Sequence, residues 1–264
     1  QIGSFAYCFR KLYGILYMKL SAEDFAFEPS LVRELLRLGG PMAFRSGVIA
    51  VGGLFVQAAI NSYGKLFVAG MAASEKFFGL ISLTGSAFEG AFATYSAQNY
   101  GAGKMGRLKE GLRCCILLSL AGAVCVALLV VVFGREFIGL LVAGEAGDLE
   151  RIIQSGYEYL VVMALTVPLM FLLCLYRSGL QGMGSTFAPT LSGFTELGLR
   201  LVSVVLLSGF LGRWAVYFAN SLGWLGAMIL LGVSYHKVYR DRVNTLSEGD
   251  CMVLGGQRSR KMVK

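Results

Sequence analysis

The sequence predicts an all-α, polytopic membrane protein built as one bundle of six transmembrane helices. Three observations carry this expectation. Of 264 residues, 56% are apolar and only 15% are charged, with a mean hydropathy of +0.65; soluble domains carry about 25% charged residues. Apolar runs long enough to cross a bilayer, at roughly 20 residues each, recur along the chain with room for six spans plus loops. The cations flank these runs and cluster at 10–37, 104–113 and 237–264. That placement makes the net charge of +8 a topology signal and argues against a nucleic-acid partner.

The elements follow in order. Residues 2–18 (IGSFAYCFRKLYGILYM) are apolar but interrupted by Arg10 and Lys11. They are too short for a span and read as the end of a preceding helix, so the chain reads as a fragment. A polar stretch at 19–30, ending near Pro29, reads as a linker on the cytoplasmic side. The first complete span covers 33–61, with Pro41 near its start predicting a bend. Gly47, Gly52 and Gly53 give it a close-packing face, and Arg45 is its only charge. The second span, 66–97, holds Glu75, Lys76 and Glu89, so it cannot face lipid all round.

That span runs into Gln98-Asn99-Tyr100-Gly101-Ala102-Gly103 and the cations Lys104, Arg107, Lys109 and Arg113. Gly101 and Gly103 remove Cβ where the chain must turn, and the cations hold the turn at the cytoplasm. Gly85, Gly90, Ala91 and Ala93 predict close helix approach before it. The third span, 112–133, is uncharged from Cys114 to Phe133. Residues 134–151 read as a longer, acidic connection. The fourth span, 156–180, carries Pro168 in its middle and Glu158 and Arg177 towards its ends. Gly179 to Gly184 turns into the fifth span, 186–210, where Glu196 and Arg200 lie one turn apart. The sixth span, 214–235, is framed by Trp214, Trp224 and Tyr235. The basic tail, 236–264, is expected to be disordered.

Charge asymmetry orients the bundle. With the linker, the 104–113 hairpin and the tail on one side, that side carries sixteen cations, against Lys65, Arg135, Arg151 and Arg213 opposite. An even number of spans returns the C-terminus to the same side. Both arguments place the C-terminus in the cytoplasm of a multi-pass cell-membrane protein.

With the elements laid out, the chain resembles the C-terminal half of a multidrug and toxic compound extrusion (MATE) transporter. The resemblance rests on LLRLGGPMA at 35–43, AFATYSAQNYGAGKMGRLKEGLR at 91–113 and YRSGLQGMGSTFAPTLSG at 176–193, and it covers 30–235 in order. It implies that residues 1–18 end a sixth helix, that 19–30 link two bundles, and that 31–235 are helices seven to twelve of a twelve-helix protein. The implied partner is the N-terminal six-helix bundle of the same protein. The implied activity is efflux of small organic, often cationic, compounds through the lipid membrane by alternating access, against entry of Na⁺ or H⁺. No cofactor other than that coupling ion is expected. Some members carry a carboxylate in the middle of the first helix of this half. Here that stretch reads FRSGVIAVGG, with Arg45 and no acid, so the coupling site is not carried over to any residue. A lipid-linked saccharide flippase of the same superfamily, using Arg45, Arg177 and Arg200 on a pyrophosphate, is one alternative. A non-transporting interaction module is the other.

Charges at bilayer depth mark the candidate substrate- or ion-binding residues, because each calls for a partner or a watery cavity. Glu196 and Arg200 form an i,i+4 pair that either lines a cavity or neutralises itself. Glu89 has no partner within a turn, as a titrating carboxylate requires. Glu75 is expected to point inward while Lys76 snorkels. Arg45 and Arg177 either face a cavity or pair with Glu75, Glu89 or Glu158. Gln57, Asn61, Gln98, Asn99 and Gln181 bind ligand or bond across helices. Trp214, Tyr217 and Tyr235 are expected as interfacial anchors. Six cysteines without a CxxC, and a single histidine, His236, predict no metal site and no catalytic constellation, so no enzyme.

Overall fold

The computed structural model describes residues 2–13, 28–142 and 146–261. Most of the expected 19–30 linker lies outside them. All described elements are helical: α1 (Ile2–Tyr13), α2 (Pro29–Ser62), α3 (Lys65–Gly101), α4 (Met105–Leu141), α5 (Ala146–Gly182), α6 (Phe187–Leu201), a π-helical segment at Val202–Leu207, α7 (Ser208–Leu211) and α8 (Arg213–Lys261). Six are long and apolar enough to cross a membrane: Pro29–Ser62, Lys65–Gly101, Met105–Leu141, Gly147–Gly182, Phe187–Leu211 and Arg213–Thr245. The chain divides into two units, Gln1–Gly40 and Pro41–Lys264. In the first, Phe5 and Phe9 stack along α1, with ring centroids 5.8 Å apart.

In the second unit α5 is the central helix. Its most apolar stretch is 61% buried, against 17% for that of α4, and it packs against α3, α4 and α8. Glycines set how closely it approaches α3. A Cβ added at Gly156 would lie 2.7 Å from the Gly70 carbonyl oxygen, and one at Gly182 would lie 2.7 Å from that of Ala93. With the backbones this close, Ser74 Oγ on α3 donates to the Gly156 carbonyl across the interface at 2.7 Å. Small residues at an interface gain packing and hydrogen bonds in a solvent as apolar as the side chains. Of the small residues expected for this purpose, Gly85 meets Phe171 on α5, and Gly52 meets Leu197 and Arg200 on α6. Gly90, Gly47 and Gly53 have nothing within 4 Å.

Several boundaries move outward. The stretch 134–151, expected as a connection, is helical at 134–141 and at 146–151. At roughly 1.5 Å per residue the 37 residues of α4 span about 55 Å, well beyond a ~30 Å hydrocarbon core. The extension is held by packing: Ile138 is fully buried, Tyr157 donates to the Val131 carbonyl, and Arg135 bonds Gln154 and pairs with Glu150. The last helix likewise passes 235 and continues to Lys261. Tyr239 and Val243 pack against the core, and Tyr239 donates to the Met105 carbonyl at 3.2 Å. α2 runs unbroken through Pro41, and α5 through Pro168.

The turns are narrower than the glycines predict: Gly101 ends α3, and Gly179 and Gly182 lie within α5. Gly103 (φ +69°) and Gly184 (φ +77°) adopt the left-handed conformation that side chains disfavour. The belt residues are corrected. Tyr217 and Tyr235 are fully buried, whereas Trp214 is 41% exposed. Tyr217 points inward because Phe67 stacks on it and Trp214 meets its ring edge-on.

Candidate functional site

Five of the charges within the spans, Arg45, Glu89, Arg177, Glu196 and Arg200, collect in one cluster. Arg177 on α5 donates from Nη2 to Glu196 Oε1 on α6 at 2.8 Å. Arg200, one turn further along α6, brings Nη2 within 3.6 Å of Glu196 Oε2 and Nη1 within 3.4 Å of the Ile49 carbonyl on α2. All three residues are less than a tenth exposed. At 1.5 Å per residue Glu196 lies roughly 14 Å along α6 from its start, well inside the hydrocarbon depth.

Glycines make room for the guanidinium stems. A Cβ at Gly193 would lie 2.7 Å from Arg45 Cγ, so the Arg45 stem crosses α6 on that glycine. Gly52 on α2 and Gly223 on α8 lie against the Arg200 side chain, where added Cβ atoms would come within about 3.5 Å of it.

Of the expected pairings, Glu196 with Arg200 forms, but Glu196 is shared with Arg177. The expected partners of Arg177 were Glu75, Glu89 or Glu158. Arg177 lies near the hairpin end of α5, while Glu75 and Glu158 lie towards the opposite end of the bundle. Glu89 joins the cluster from α3, within electrostatic reach of Arg45 and of the buried Cys174 thiol. Arg45 is half-buried, close to Arg177, Glu196 and Glu89. No hydrogen bond or ion pair to it is found among the described residues; its Nε and Nη1 are buried without a partner, as are Nε of Arg177 and Nε of Arg200.

A second polar group sits at the opposite end. Tyr159, 1% exposed, donates to Glu75 Oε1 at 3.0 Å and accepts from Asn220 at 3.1 Å. Glu75 itself is exposed, like Lys76. Glu158 is held by Gln154, Arg213 and Tyr217. The amides divide as follows. Gln57 bonds Asn61 along its own helix. Gln98 and Asn99 line an open cavity of about 560 Å³ with Tyr95, Lys104, Arg107 and Glu110. Gln181 is half-buried. Among the described residues no three His, Cys, Asp or Glu side chains gather as a metal site, and Cys8, Cys114, Cys115, Cys125 and Cys174 are free.

Sequence reasoning missed the π-helical turn at Val202–Leu207, which begins two residues after Arg200. Ser203 Oγ there donates to the Ala215 carbonyl of α8 at 2.6 Å. Nothing in the run VSVVLL marks a widened turn. Its position beside a charge cluster is where such turns recur.

Comparison places these observations in a known architecture. The sequence profile described as MatE matches residues 41–206. No curated protein matches the sequence. Among solved structures, a MOP superfamily transporter from Pyrococcus furiosus, described as having a binding pocket of reverse polarity that suggests a different function, superposes with a TM-score of 0.78 at 15% identity, covering 89% of this chain and 53% of that one. An outward-facing multidrug resistance MATE family transporter of the MOP superfamily gives 0.74 at 16% identity, covering 86% and 51%. An inward-facing one gives 0.71 at 16% identity, covering 87% and 52%. The chain spans about half the length of each.

Proposed function

Because the chain belongs to the MatE family, we propose that it forms one six-helix half of a secondary transporter that exports organic compounds by alternating access, driven by entry of Na⁺ or H⁺. The observation that carries this reading is the charge cluster of Arg45, Glu89, Arg177, Glu196 and Arg200, held inside spanning helices at a depth where unpaired charge is excluded unless it has work to do. The fold is similar to both an outward-facing and an inward-facing relative, which fits a half that moves as a unit against its partner. The second half of the cavity would come from a six-helix bundle of the same protein, joined through 19–30, with the C-terminus in the cytoplasm.

Within the cluster, Glu89 is the carboxylate we assign to the coupling ion. Both Glu196 oxygens face arginines, which leaves that carboxylate committed to its internal pairs. Glu89 is half-buried beside Arg45 and has no ion pair among the described residues, so it is the carboxylate of the cluster left open to a cation.

The test is an efflux and drug-susceptibility assay in a pump-deficient bacterium. It compares the chain alone, the chain with the reading frame that precedes it, and the longer form carrying Glu89→Gln. Efflux from the longer form that loses its dependence on the Na⁺ or H⁺ gradient in Glu89→Gln supports the proposal. No efflux from a well-expressed longer form sinks the transport reading, and unchanged coupling in Glu89→Gln sinks the assignment of Glu89.

A further inference from the structure

We propose that the cluster binds an oxyanion, a phosphate- or carboxylate-type group, with Arg45 as its principal contact. This deepens the transport reading by naming the charge of the cargo, and rests on it only for the statement that the bound group is cargo.

Three observations lead there. The first is charge. Arg45, Arg177 and Arg200 face Glu89 and Glu196, so the cluster holds three cations and two anions at a depth where an uncompensated charge costs at least about 2.5 kcal/mol. An organic cation would enter against like charge, whereas an anion completes the balance.

The second is hydrogen bonding. Glu196 Oε1 accepts from Arg177 and Oε2 lies 3.6 Å from Arg200 Nη2, yet Nε of Arg45, Arg177 and Arg200, together with Nη1 of Arg45, remain buried without partners. Arg177 and Arg200 are each 7% exposed, so bulk water does not reach the donors of those two. A guanidinium left short of acceptors is matched by a group presenting two oxygens to its planar fork.

The third is access. Arg177 and Arg200 are committed to Glu196 and enclosed. Arg45 is half-buried, with no hydrogen bond or ion pair among the described residues, and its stem is threaded past Gly193 to reach the cluster. It is positioned by the fold but not neutralised by it.

The test uses the full chain, reconstituted in nanodiscs of phosphatidylcholine alone, and follows its thermal unfolding midpoint. Inorganic phosphate and benzoate are titrated as probes of the two anion types, with tetraphenylphosphonium as the cationic comparison. A saturable upward shift with either anion and none with the cation is expected. In Arg45→Gln the apparent affinity should fall about tenfold or more, as loss of a charge-assisted hydrogen bond implies. Arg45→Lys, which keeps the charge but not the fork, should fall between. Repeating the titration with phosphatidylglycerol separates the sources: a shift already present without added anion identifies a lipid headgroup as the occupant. Stabilisation by tetraphenylphosphonium alone, no saturable anion shift in either lipid, or equal anion affinity in Arg45→Gln overturns the proposal. Because binding is read without transport, an inactive transporter that binds anion defeats only the transport reading. An active exporter that ignores anions defeats only this one.

Discussion

Glu196 pairs with arginines from two helices, Arg177 on α5 and Arg200 on α6. Glu196→Gln leaves Arg177 and Arg200 buried and unpaired, and breaking such a pair costs about 3–5 kcal/mol. We expect denaturant unfolding in micelles to show a loss of that size. Arg213→Gln, which breaks a pair with Glu158 in which the arginine side chain is 46% exposed, should cost less than about 1 kcal/mol. Equal effects from the two would refute the difference in burial that separates them. Half of the Glu196 arrangement is legible in the sequence: an acid and a base four residues apart share a helix face whatever surrounds them. Its engagement by Arg177 is not, because that contact depends on how deep each residue sits in two different helices. Depth also misleads for Tyr217, whose place near a span's end suggests a membrane-surface anchor. Its direction around the helix sends it into the core instead.

Among the elements, the α3–α5 pair rests on glycines at fixed places and not on apolar area alone. A Cβ at Gly156 would meet the Gly70 carbonyl, which is backbone and cannot rotate away. Gly156→Ala should therefore force the helices apart and cost about 1–3 kcal/mol, also weakening the Ser74 bond to the Gly156 carbonyl. Gly90→Ala, with nothing within 4 Å, should be neutral or gain up to about 1 kcal/mol from helix propensity. Thermal unfolding of both variants in one detergent checks the contrast, and destabilisation by Gly90→Ala to the same degree would refute it. The spans themselves are legible from hydropathy, and the hairpins from glycine and charge. Which small residues face a neighbour is less so, because several glycines share each helix and only the packed structure selects among them. The π turn at 202–207 is illegible for a related reason. It depends on how α6 meets α8 at Ser203 and Ala215, not on the local run of valines and leucines.

At the scale of the whole molecule, topology follows from cation placement, and we expect the 101–104 turn and the C-terminus to face the cytoplasm. In a cysteine-free background, Tyr63→Cys should react with a membrane-impermeant maleimide added to intact cells. Lys109→Cys should react only after permeabilisation, and the reverse pattern would invert the bundle. Lipid exposure is uneven: the most apolar helix, α4, has an apolar stretch only 17% buried, no more than those of Pro29–Ser62 and Phe187–Leu211, while α5 is enclosed. Hydropathy alone ranks α4 as the innermost candidate, since lipid and protein interior select the same side chains. The central place of α5 also fixes an order in time. Helices leave the ribosome from the N-terminus onward, so α3 and α4 are made before the helix that joins them to the rest. Until residues 146–182 emerge, the notches at Gly70 and Gly85 and the Ser74 hydroxyl wait without the α5 surface they fit. A synthesis pause or premature stop just before residue 146 therefore leaves the membrane holding three long helices, α2 to α4, with an open seam along α3, the state that quality-control proteases are best placed to find.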